Sequence, residues 1–141
     1  MKTVQLTQRQ TPNFRALIRA ENGLLFDAAA NLATVEELAA EGIKRAPISC
    51  TIYYNPSSLA LYSSATTSAT PVPGFENLEI GEEAFIEPDA VEANGLDYNF
   101  QYSPPSRAAF PFEKPGAYFV DFLIYPKKGA ALAFRIGAEV K

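Results

Sequence analysis

Tyr118-Phe119-Val120-Asp121-Phe122-Leu123-Ile124-Tyr125 runs into Pro126-Lys127-Lys128-Gly129, and Leu132, Phe134 and Ile136 follow at every second position. A period of two on both sides of a Gly-containing turn predicts an antiparallel hairpin with one face in a core. The hairpin is entered through Glu113-Lys114-Pro115-Gly116-Ala117. A Pro-Gly turn two residues ahead of a Tyr often leads into a late strand of a β-sandwich. Tyr118 is accordingly expected to be a corner tyrosine, with its hydroxyl bonded to backbone.

Upstream, the same period recurs in short stretches. Val4 and Leu6 predict a first strand. Phe14, Ala16, Ile18 and Ala20 alternate with Arg15, Leu17 and Arg19, and Asn22-Gly23 turns the chain into Leu24-Leu25-Phe26. Ile48, Cys50, Ile52 and Tyr54 define one face of a further strand, and Leu59 to Tyr62 are expected to pair back on it. Residues 63–74 are small, polar or Pro-containing and read as an exposed loop. Phe75 to Ile80 and Glu83 to Glu87 read as short acidic strands. Leu96, Tyr98, Phe100 and Tyr102 form the inward side of another, with Asp97, Asn99 and Gln101 outward. One segment breaks the pattern. Thr34 and Glu37 fit a capping box and Gly42 a C-terminal stop, so residues 34–42 predict a short helix with Val35 and Leu38 on a sheet edge. Many short strands between Gly, Pro and Asn turns, with one minor helix, describe an all-β, immunoglobulin-like antiparallel sandwich over a single domain, 1–141.

Composition removes several function classes. The chain has 141 residues, one cysteine and no histidine or tryptophan. Ser-His and Cys-His catalysis need an imidazole, and most zinc sites need His or several Cys. The lone Cys50 suits a reducing cytoplasm. No apolar run reaches the ~20 residues that span a bilayer, and the first residues lack the apolar stretch of a secretory signal. Residues 46–106 hold eight acids and no base, while the flanks hold all twelve Lys and Arg with eight acids. A nucleic-acid binder would concentrate a basic stripe instead.

The acidic segment 76–92 is the first candidate site. Its acids are mostly Glu and alternate with Phe75, Leu78, Ile80, Phe85 and Ile86. That pattern favours a solvated face or protected edge over a calcium loop, which wants closely spaced Asp, Asn and Gly. Paired carboxylates also serve glycoside hydrolysis, but such clefts are usually lined with Trp. Cys50 lies between Ile48 and Ile52 and reads as a small core residue. Among the seven tyrosines, Tyr53 and Tyr125 have inward-facing neighbours and are the surface candidates. The expected interface set is therefore Tyr53, Tyr125, Glu79, Glu82, Glu83 and Glu87, with no catalytic residue, metal or cofactor.

Phe14-Arg15-Ala16-Leu17-Ile18 with Asn22-Gly23, and then Pro115-Gly116-Ala117-Tyr118, Phe122 and Lys128-Gly129, resemble small immunoglobulin-like modules of tailed-phage virions. The type in question is the amino-terminal domain of upper-baseplate proteins. Those modules usually carry Leu-Thr-Gly after the first hairpin, where this chain has Phe26-Asp27-Ala28-Ala29-Ala30. The resemblance implies a non-enzymatic structural protein of a tail, neck or capsid, located in the virion and assembled in the host cytoplasm. Its partners would be other subunits or itself, with neither nucleic acid nor membrane. A sugar- or peptide-binding module is the alternative, and a small carboxylate enzyme the third. The polar ends, Met1–Gln10 and Gly137–Lys141, are expected to order against a partner.

Overall fold

The computed structural model describes residues 2–7, 10–62, 69–105 and 111–141. Its strands are β1 (Lys2–Leu6), β2 (Phe14–Ala16), β3 (Ile48–Asn55), β4 (Thr70–Pro71), β5 (Leu78–Glu79), β6 (Phe100–Tyr102), β7 (Gly116–Ile124) and β8 (Leu132–Val140). The large sheet has the order β1-β8-β7-β3-β4, and β5 shares the outer edge of β3 with β4. β2 and β6 form a separate antiparallel pair. The fold is thus mostly strand, with mixed pairing and a few short helices.

The hairpin that opens the sequence reading is the centre of the molecule. β7 pairs with β8 from Gly116↔Val140 to Ile124↔Leu132, and on its other side with β3 along its whole length. Gly116 is required where β7 begins. Its φ is +141°, and a Cβ there would lie 2.7 Å from the Asn55 carbonyl oxygen. The corner tyrosine is present: the Tyr118 hydroxyl donates to the Lys114 carbonyl at 3.0 Å and accepts from the Lys114 amide at 3.1 Å. Tyr54 packs beside it and donates to the Pro115 carbonyl, so two hydroxyls hold the same turn.

Alternation decides what the sheet buries. Ile48, Cys50 and Ile52 of β3, Val120, Phe122 and Ile124 of β7, and Ile136 and Ala138 of β8 form one buried face. The β2–β6 pair packs on that face, with Phe14, Phe100 and Tyr102 all in ring contact with Phe122. Phe134 stacks on Phe122 but stays half-buried, as does Tyr98, over which the Arg15 guanidinium lies. On the opposite face a 3₁₀ turn, Ser58–Tyr62, covers Ala117 and Phe119 with Ala60 and Leu61. Beyond that cover Arg135 forms a two-pronged ion pair with Asp121 and lies over Phe119.

Several expectations are corrected. β1 pairs with β8 in parallel, so the sheet is not purely antiparallel, and the polar ends order against each other within one chain. Leu59–Tyr62 is a 3₁₀ turn, not a returning strand, because the strand that does return, β4, comes later. Residues 83–87 are not a strand either: Glu82–Ala84 is a 3₁₀ turn, and Pro88 starts a helix. Among the described residues three α-helices form: α1 (Ala28–Asn31), α2 (Val35–Ala40) and α3 (Pro88–Ala93). α2 has the expected capping box, and its stop follows the expected pattern, with Gly42 at φ +79° and the Ile43 amide donating to the Leu38 carbonyl. Leu38 is buried, but Val35 is 56 % exposed. Of the loop expected over 63–74, residues 63–68 lie outside the described residues. The remainder carries β4, and the Val72 amide donates to the Ile52 carbonyl.

Candidate functional site

A groove lies between the 18–26 hairpin and the connection from β7 to β8. Asn22-Gly23 turns the hairpin as expected, with Gly23 at φ +83° and the Ala20 amide donating to the Leu24 carbonyl at 2.8 Å. Its arms are also joined by a bridge between Arg19 and Leu25 and by the Phe26 amide donating to the Ile18 carbonyl at 3.0 Å. A buried side chain ties it to the strand that carries β6. Asn99 accepts from the Ile18 amide through Oδ1 at 2.7 Å, and its Nδ2 donates to the Ile18 carbonyl at 2.8 Å and the Phe26 carbonyl at 3.5 Å. The Asn99 backbone reaches Ala16 and Ile86 on its two sides. Expected to point outward, Asn99 is instead fully buried. An Asn inside a strand pattern, where that residue is disfavoured, was the signal available for it.

The opposite wall is fixed by backbone bonds. The Lys127 amide donates to the Asn31 carbonyl at 2.7 Å, the Ala33 amide to Tyr125, and the Tyr125 amide to Pro47. Gly129, at φ +90°, brings this wall up to the hairpin: a Cβ there would lie 2.9 Å from a Glu21 carboxylate oxygen. Between the walls is a groove of about 690 Å³, lined by Phe26, Ala30, Ala131 and Leu132, with Arg19, Lys127, Lys128 and Glu21 around it. Arg19 donates to the Gly23 carbonyl, and Lys127 approaches Glu37 at 3.9 Å. Neither Arg19 nor this groove was singled out in sequence.

A second groove, about 530 Å³, lies on the other side of α1. It is lined by Ala28, Ala29, Val35, Pro47 and Ile80 with Glu79 and Glu82, and Lys127 borders both grooves. Two of the expected interface acids, Glu79 and Glu82, lie here. Glu79 and Glu83 also line a neighbouring depression with Asn13, Gln101 and Ser103, and the Glu83 carboxylate folds over the Cα of Gly81. Glu87 is exposed at the start of α3, where its backbone carbonyl, not its side chain, receives the first amides. The two tyrosines do not join them. Tyr53 is half-buried against the Ala60–Phe119 cluster, and Tyr125 is half-buried with its backbone clamped as above.

Cys50 is buried, and burial pushes its thiol up from 9.0 to about 12, a hydrogen bond from Tyr102 offsetting part of the rise. The thiolate is the reactive form. A thiol reagent such as DTNB at pH 8 is therefore expected to label the native chain far more slowly than the urea-unfolded chain; equal rates would place Cys50 outside the core. The sign for stability follows: the folded chain holds this proton longer, so its contribution is intact below pH 9 and is lost as pH rises toward 12.

Among the described residues, no three His, Cys, Asp or Glu are grouped to hold a metal ion, and no helix is long and apolar enough to cross a membrane. In comparisons with known proteins, no family model, curated protein or solved structure matches this chain.

Proposed function

We propose that this protein is a non-enzymatic structural subunit of a larger protein assembly, an immunoglobulin-like module of the tailed-phage virion type. The observation that carries the reading is charge left unused within the chain. Glu79, Glu82, Glu83 and Glu87 are exposed, and none bonds a base among the described residues. Arg19, Lys127 and Lys128 border a separate groove. Fields of opposite sign orient partners and set register more than they add affinity. The absence of any imidazole and the masked thiol support the non-enzymatic half of the reading. The main groove also falls in the size range of small-molecule sites, which favours a ligand-binding module as the second reading.

The test is co-expression with the products of the flanking genes, followed by sedimentation across a salt series. A salt-weakened complex with a neighbour or with itself is expected. Absence of any complex, with a small ligand saturating the groove, would transfer the reading to the ligand-binding module.

A further inference from the structure

We infer that the two grooves flanking α1 form one self-complementary surface, on which a second copy of this chain docks about a twofold axis. This rests on the assembly reading and specifies the partner for one face of it. On one side of α1 lie Arg19 and Lys128, which outnumber Glu21, while Lys127, 3.9 Å from Glu37, borders both grooves. On the other side lie Glu79 and Glu82, exposed and bonded to no described base. Because α1 separates the two, an axis through it sets each basic side against the partner's acidic side, twice. Patches placed side by side in this way close into a pair. Complementary patches on opposite faces of a molecule would instead propagate an open filament.

The centre of the surface suits close approach. Ala29 and Ala30 of α1 are exposed and small. Val35, 56 % exposed, borders the acidic groove and supplies apolar area beside them. An apolar centre inside a charged rim is the usual anatomy of a protein interface.

Charge reversal tests the arrangement. The wild-type chain is expected to sediment as a dimer at low salt and to dissociate as salt rises, since the reach of such fields falls from ~10 Å at 0.1 M to ~3 Å at 1 M. The double variants Glu79→Lys/Glu82→Lys and Lys127→Glu/Lys128→Glu should each be monomeric. Mixed one to one they should form a heterodimer, because both contacts then regain opposite signs. Ala29→Arg, on an exposed position at the axis, should weaken dimerisation at least tenfold at low salt, with an unchanged melting temperature at high salt, where both chains are monomeric. It keeps the test valid if a double variant folds poorly. A wild-type chain that stays monomeric at low salt overturns the inference, as do variants that all dimerise or a mixture that fails to restore the pair. If the chain is monomeric yet binds a flanking-gene product, the twofold pair is wrong and the assembly reading stands.

Discussion

Replacing Asn99 by Ala lowers the unfolding free energy by about 3–5 kcal/mol in a urea titration, more than any exposed substitution in the molecule. The side chain satisfies the Ile18 amide, shares the Ile18 carbonyl with the Phe26 amide, and also reaches the Phe26 carbonyl, all away from water. Each buried backbone group left without a partner costs about 1–3 kcal/mol, and the lost volume adds to that. Asn99→Asp separates the hydrogen bonds from the packing. It keeps the shape and the acceptor but turns the donor into an oxygen facing carbonyls. The introduced carboxylate is disfavoured in the folded state, so its pKa rises on folding. The Asp variant should then come closest to wild type below about pH 3.9, the ordinary carboxyl value, and lose stability as pH rises through its higher folded value. A loss under about 1 kcal/mol for Asn99→Ala would mean that the 18–26 hairpin stands without this tether.

Phe122→Ala is the second large effect, at about 3–5 kcal/mol, read from the same titration. Phe122 is 1 % exposed and meets the rings of Phe14, Phe100, Tyr102 and Phe134, which belong to three different strands. Rings fixed from several strands cannot all move inward to fill the space, so most of the cavity should persist. A cost below about 1 kcal/mol would show that the β2–β6 pair collapses freely onto the large sheet.

The β7–β8 hairpin, β3 and the capped α2 helix were legible in the sequence because their signals are local. Alternation, a Pro-Gly turn and a capping box each act within a few residues. Tyr118 could be read for the same reason, since its partner is Lys114. What could not be read depends on distant pairing. The parallel partner of β1 is at the far end of the chain. The apolar alternation of 83–87 looks like a strand until Pro88, at the start of α3, shows that the segment is feeding a helix. The candidate site was half legible. Counting charges located Glu79, Glu82 and Glu83, but the Arg19–Lys128 groove is built from segments far apart in sequence, which bonds such as those from Asn99 to Ile18 and from Lys127 to Asn31 bring together.

The β1–β8 pairing has a kinetic consequence. Among the described residues no other strand pair in the sheet joins residues so far apart in sequence, and β1 has a neighbour on one side only. Closing so long a loop costs entropy that a single five-residue strand repays late. β1 is therefore the last strand to zip and the first to fray, and its amides should exchange with solvent ahead of those in β7. While it is open, the outer backbone of β8 is a bare ladder that a β1 from another molecule fits in identical register. At high concentration, slow refolding through that state yields strand-exchanged chains. The same edge that finishes the monomer thereby sets how carefully it must be refolded.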